Sequence, residues 1–463
     1  MNLLIAFFSI ACLVWMIPVI QRGRLFVVAM LVLGVGTVFG PSFFAVDGLI
    51  QFSLDRVLWF AMFCLAAIGW RMGYVKIPKL SRMDWLVCGI AGWFFLSALR
   101  GGPVPTGSSP TARWLFYIVM PVGMYVLARL IEIRERDVRW LMGGLIALGG
   151  YLSVTAMLEV SGMQAIVFPS FIGNAESWEF YGRGRGPLMN PSGNGILISI
   201  SLVAAILGCI YSARRGKLMY ALISVVMLCG VYATLTRSAW LGAGFAVALV
   251  ALVYSPRWVR VLGLATVVVL GGITMAGFKE QLVRMKRDKN LTAADAEKSM
   301  ALRPLLAVVA WEMFKDHPII GHGYGHYFEH NAPYHDNRSY GLPLGQARSY
   351  AQHNVFLSIL VDTGLVGLMM FVAWLAMLGG IGWRLAREAS SRTEARWVGM
   401  LLLGAMTAYF CNGMFQDVMI IPMVHMFLFF LAGVGVTVYE KGLSATLPKR
   451  VLARAPVTIV TAG

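Results

Sequence analysis

Charge is scarce in this sequence, and acid scarcer still. Only 13% of its 463 residues are charged, with 22 Asp and Glu against 39 Lys and Arg. Mean hydropathy is +0.71, too apolar for a soluble two-domain chain. Cysteine is sparse as well. Cys12, Cys64, Cys88, Cys209, Cys229 and Cys411 all fall in or at the ends of apolar runs, and no CxxC pair exists. That excludes a thiolate metal or redox motif and leaves them as buried packing residues. The first apolar run, 3–20, has no basic stretch before it and no small-residue cleavage pattern after it, so it reads as a retained helix. No internal repeat, low-complexity tract or separate soluble domain is visible. The net charge of +17 does not indicate nucleic acid, because the basic residues come in short clusters between apolar runs.

What the sequence has in abundance is apolar runs of a length that crosses about 30 Å of hydrocarbon. They lie near 3–20, 25–39, 57–70, 85–99, 114–130, 140–160, 195–210, 218–236, 239–253, 259–276, 354–382, 398–415 and 418–439. The expectation is an all-α polytopic membrane protein with about 12–13 transmembrane helices. It divides into a bundle over 1–277, a large helical loop over 278–353, C-terminal transmembrane helices over 354–440 and a tail over 441–463.

Seven stretches hold more than half of the basic residues: 22–24, 71–82, 129–139, 214–217, 257–260, 384–396 and 441–454. They occupy alternate loops, so all seven can be cytoplasmic at once. The long loop then faces the opposite side. Outside it, that side carries only Arg56, Arg100, Arg113, Arg183, Arg185 and Arg237. Arginine near lipid is costly without a partner, which makes Arg183, Arg185 and Arg237 candidates for binding an anion. Within the loop, helices are expected near 291–297 and from Pro304 to Phe314, with Pro304 at a first-turn position. The Gly321-His322-Gly323-Tyr324-Gly325-His326 stretch reads as irregular.

Six of the seven histidines precede the apolar run that starts at 354. His353 stands at that boundary in an H-N-x9-G-x-x-G pattern from His353 to Gly367, preceded by Asp316-His317-Pro318-Ile319-Ile320-Gly321-His322-Gly323-Tyr324-Gly325. Together these resemble the O-antigen ligase and polymerase superfamily of membrane glycosyltransferases. Thr234-Leu235-Thr236-Arg237-Ser238, Arg303 about fifty residues before His353, and Arg185-Gly186-Pro187-Leu188-Met189-Asn190-Pro191 add to the likeness. Asn190-Pro191-Ser192 departs from it, with Ser where a second Asn is expected, and leaves open whether Arg183 or Arg185 is the match.

The resemblance implies a GT-C-like fold and metal-independent, inverting transfer of O-antigen from undecaprenyl diphosphate to a lipid A-core sugar hydroxyl. The setting it implies is a bacterial inner membrane with the site facing the periplasm, no cofactor, and membrane lipids as further partners. His353 is the candidate general base, kept neutral by neighbouring arginines and the positive end of the following helix; a positioning role is the alternative. Arg183, Arg185, Arg237 and Arg303 form the candidate diphosphate clamp, since guanidinium groups bind phosphate oxygens in pairs and stay charged. For Arg183 and Arg185 a solvated surface position is equally open. Asn354 supports the helix start. Asp417 orients His353 or an arginine, binds the acceptor, or caps a turn. His322, His326 and His330 have the spacing of a helical metal site, but the glycines between them argue against a helix, and no HExxH occurs. O-antigen polymerase and protein O-oligosaccharyltransferase share the pattern. A lipid-linked glycan transporter is the reading from another class, and the charges gathered at one surface favour a site over a path.

Overall fold

A computed structural model describes residues 25–46, 52–102, 104, 109–177, 179–261, 293–388 and 392–444. The apolar runs at 3–20 and 259–276, and the tail over 445–463, lie outside the described residues. The chain is an all-α polytopic membrane protein. In chain order its helices are α1 (Leu25–Val38), α2 (Leu54–Arg71), α3 (Arg82–Arg100), α4 (Pro110–Leu130), α5 (Glu135–Ser161), α6 (Pro191–Tyr211), α7 (Arg214–Ala233) and α8 (Arg237–Tyr254). They continue with α9 (Ala293–Asp316), α10 (Tyr327–His330), α11 (Ala332–His335), α12 (Val355–Arg387), α13 (Thr393–Gly413) and α14 (Pro422–Lys441). A hairpin of two-residue strands, Ala45–Val46 against Phe52–Ser53, is the one sheet among the described residues.

Eight of these helices, α3 to α8, α12 and α14, are long and apolar enough to cross a membrane. α6 and α14 are apolar on every side, and 78% and 89% of their spanning windows are buried, so they form the centre of the bundle. Close packing there is made with small residues. A Cβ on Gly433 of α14 would lie 2.6 Å from the Tyr125 carbonyl oxygen of α4.

One end of the bundle is laced by charge. Arg129 makes two 2.9 Å hydrogen bonds to the Asp84 carboxylate and one of 2.6 Å to Glu440, and Tyr125 donates to Asp84 at 2.6 Å. Buried ions this close to the apolar core persist only when paired in this way. Arg139 to Glu394 and Arg392 to Glu135 join the starts of α5 and α13 at the same end. Among the described residues, the basic clusters at 129–139 and 384–396 meet here. The opposite end carries the loop.

The loop differs from the sequence expectation in one respect. α9 is a single helix from Ala293 to Asp316 with Pro304 inside it, rather than two helices with Pro304 near a start. Proline costs one helical hydrogen bond. A small core of Leu302, Leu305, Leu306, Val309 and Met313, packed on Leu344, Ala347 and Val361, holds the helix together past it.

Candidate active site

The site is built on a broken helix. The sequence reads 354–382 as one apolar helix, but α12 leaves helical geometry at Gly364, with φ 70° and ψ −171°. The rings of Phe356 and Phe371 lie 6.2 Å apart, whereas a straight helix would separate residues fifteen apart by about 22 Å. The segment 355–363 therefore folds back over the rest of α12.

A break leaves carbonyls and N–H groups without helical partners, and in an apolar setting each needs another. The 318–325 stretch supplies them. Leu365 and Val366 donate to the carbonyls of Pro318 (2.8 Å) and Ile319 (3.3 Å), and His322 and Gly323 donate to those of Val361 (2.8 Å) and Asp362 (2.9 Å). The Gly325 N–H binds the Asp362 carboxylate at 3.0 Å. From α3, Trp93 Nε1 reaches the Thr363 carbonyl at 3.0 Å and Ser97 Oγ the Asp362 carbonyl at 2.9 Å. The glycine- and histidine-rich motif is thus the plug of a helix break, and it fixes where the first segment of α12 begins.

At that beginning stand His353 and Asn354. Asn354 caps the helix, its Oδ1 accepting from the N–H groups of Phe356 (2.9 Å) and Leu357 (3.1 Å). Its Nδ2 donates to the Met414 carbonyl at 3.0 Å, tying the cap to the turn after α13. His353 has a φ of 48°, a left-handed conformation unusual for a side chain with a Cβ. Burial pushes its imidazole below the ordinary histidine value, and the positive charge of Arg303 adds to the effect. The neutral, proton-accepting form is favoured.

Arg303 lies on α9 with its guanidinium 5.5 Å from the centre of the Phe415 ring. Loss of water and then the charge of Arg237 lower its pKa. Arg237 opens α8 at the junction after Ala233, half-buried. These dependences link Arg237 to Arg303 and Arg303 to His353, from three different elements.

The turn between α13 and α14 ties the site to the bundle. Asp417 accepts from Ser358 Oγ at 2.9 Å and from the Met419 N–H at 3.0 Å. Burial raises the pKa of its carboxyl, opposed by these two bonds and by Arg113. Ser192 of α6 donates to Gln416 at 2.5 Å. Asp417 therefore holds α12 against this turn through Ser358.

Arg183 and Arg185 have different surroundings. Arg185 is 1% exposed. Its guanidinium donates to the carbonyls of Glu179 (2.8 Å), Ile172 (2.8 Å), Asn174 (3.0 Å) and Ser177, and Glu159 Oε2 lies 3.9 Å from its Nε. It anchors the 172–179 segment, and those donors face protein rather than an open site. Arg183 is half-buried beside the Phe180 ring, 5.7 Å from its centre, next to the α7 end where the Gly184 N–H binds the Ala233 carbonyl at 2.9 Å.

The loop histidines serve the loop. His322 Nε2 donates to the Met313 carbonyl at 2.8 Å and His335 Nδ1 to that of Leu344 at 2.9 Å. His326 Nε2 lies 2.9 Å from the Gly102 carbonyl oxygen. Phe415, Ser358 and Gln352 are contributors that sequence reasoning did not single out. Gln352 is 5% exposed, adjacent to His353, and its amide nitrogen has no hydrogen-bond partner among the described residues. Nearness to Asp417, two residues on, and adjacency to His353 were the available signals for Phe415 and Gln352; nothing local marked Ser358.

Residues 222–372 match the family model described as O-antigen ligase. The matched span contains Arg237, Arg303, His353, Asn354 and the helix break, and it ends before Asp417. No curated protein matches the chain.

Proposed function

We propose that this chain, an O-antigen ligase family protein, transfers O-antigen glycan from undecaprenyl diphosphate to a sugar hydroxyl of lipid A-core. The observation that carries this reading is the grouping of Arg237, Arg303 and His353 from three elements at the end of the bundle away from the basic clusters. The positive charge of Arg237 disfavours that of Arg303, and a dianion between the two guanidinium groups relieves this. A diphosphate is such a group.

In the proposed reaction His353 accepts the proton of the acceptor hydroxyl as its oxygen attacks the anomeric carbon. The bond to the carrier diphosphate breaks, and Arg237 and Arg303 hold the departing charge. In-line displacement inverts the anomeric centre. In this reading Arg183, beside the α7 end, extends the clamp. Arg185 acts one step removed, by fixing the loop that presents Arg183. Asn354 and Asp417 hold the start of α12 in position, so that His353 keeps its left-handed backbone. No metal enters this mechanism, because the arginines supply the positive charge. The basic end faces the cytoplasm of a bacterial inner membrane and the site faces the periplasm, where both lipid-linked substrates are presented.

The test is reconstitution of the purified protein with carrier-linked glycan and lipid A-core. Glycan-capped lipid A-core from the wild type, absent with His353→Ala, supports the reading. Extension of the carrier-linked glycan without capping would make the protein a polymerase, transfer only to a peptide acceptor a protein O-oligosaccharyltransferase, and glycan movement across vesicles without transfer a transporter.

A further inference from the structure

The return from α9 to the helix break exposes apolar side chains in an unusual place. Ile319 is 64% exposed and Ile320 39%, although both follow the charged end of α9. Backbone hydrogen bonds strap this turn to the second segment of α12, the Leu365 and Val366 N–H groups donating to the carbonyls of Pro318 and Ile319. That segment is a membrane-spanning one whose outward stripe is Leu365, Met369 and Val372, 43%, 54% and 47% exposed at helical spacing. Ile319, its carbonyl bound by Val366, is exposed beside the start of this stripe.

Irregular backbone enters lipid only where its polar groups are satisfied without water. Here five consecutive carbonyls meet that condition. His317 accepts from the Gly321 N–H at 3.0 Å, Pro318 and Ile319 accept from α12, and Arg100 donates to Ile320 at 3.0 Å and to Gly321. Arg100, at the end of α3, places its charge where a snorkelling side chain meets lipid headgroups.

We infer that 318–321 is a membrane-seated turn, with Ile319 and Ile320 embedded in the bilayer at its boundary with water. The partner is bilayer lipid. Because the carbonyls of this turn also cap the break in α12, the seat sets the depth at which His353 stands relative to the membrane. The arrangement does not depend on the identity of the glycan.

The experiment measures depth directly. A nitroxide is attached in proteoliposomes to Ile319→Cys, with Met369→Cys as a lipid-facing reference and Ser339→Cys as a water-facing one, in a background with the native cysteines replaced by alanine. Greater collision with oxygen than with a nickel chelate at 319, as at 369, is expected. Nickel accessibility at 319 matching that at 339 would overturn the inference. If the cysteine-free background fails to insert, a benzophenone amino acid at position 319 of the native sequence gives the same decision: a phospholipid adduct on irradiation supports the seat, and its absence, with an adduct formed at 369, refutes it. Neither readout uses glycan transfer, so failure here is distinct from failure of the proposed activity.

Discussion

Gly321 and Gly364 meet backbone to backbone across the break in α12. A Cβ on Gly321 would lie 2.5 Å from the Gly364 nitrogen, and one on Gly364 would lie 2.2 Å from the Ile319 carbonyl oxygen. Both glycines also have positive φ, 65° and 70°. Sterics and backbone conformation thus demand glycine twice in one place.

Gly364→Ala should therefore disable the protein from a distance. Strain at a positive-φ position costs about 1 kcal/mol or more, and the clash adds to it by pushing the 318–321 turn off the helix. The expected result is inserted protein with a lowered thermal midpoint and little glycan transfer. Gly341→Ala is the control, since it has positive φ, 61°, but nothing within 4 Å. Equal losses in both variants would show that contact at the break does not matter.

How much of this was legible beforehand depends on what each feature looks like along the chain. The helix starts at Arg237 and after Asn354 were readable, because caps and junctions leave local marks. The break was not. Val355 to Arg387 is apolar enough to read as one membrane helix despite Asp362, and Gly364 looks like any glycine in such a helix until the 318–325 stretch, some forty residues earlier, is laid against it. Pro304 misled in the opposite sense, since tertiary packing of Leu302 to Met313 carries a helix through it. Arg185 could not be told from Arg183 by spacing, because the distinction lies in the carbonyls of 172–179 that surround it.

The pH dependence of transfer tests His353 as a base. Its pKa is lowered by burial and by Arg303, so the neutral form persists below the ordinary value of about 6.5. Activity should fall on the acid side only below that pH. In Arg303→Gln, residual activity should show its acid limb moved to higher pH, because one of the two depressing influences is gone. A limb unmoved by this substitution would separate His353 from proton transfer, and its replacement by Ala should otherwise cost on the order of 10² to 10⁴ in rate.

Asp417 and Ser358 make a separable pair. Ser358→Ala removes one hydrogen bond at 2.9 Å but leaves Asp417 its bond from Met419. A net loss of about 0.5–1.5 kcal/mol in stability is expected, with a modest fall in transfer. Asp417→Ala removes both bonds and loosens the turn that also holds Asn354 through Met414, so transfer should fall further. If the two substitutions were combined and the losses simply added, the contact between them would carry no positioning role.

Arg237 and Arg185 should differ in their response to ligand, although both are arginines set apart from the basic end of the chain. Arg185 is buried with Glu159, whose carboxylate also accepts the Arg185 and Gly186 N–H groups at 3.2 and 2.9 Å. Removing the guanidinium leaves four carbonyls without their donor and a buried acid without its countercharge. Losses of about 3–5 kcal/mol follow when one partner of a buried pair is deleted. Arg185→Ala should therefore lower the thermal midpoint of the purified protein whether or not carrier diphosphate is present. Arg237→Ala should lose the rise that undecaprenyl diphosphate produces in the wild type. Measuring both variants with and without the lipid diphosphate decides it: a ligand-induced rise retained in Arg237→Ala would remove Arg237 from the clamp, and an unchanged midpoint in Arg185→Ala would show that its carbonyl contacts do not hold the loop.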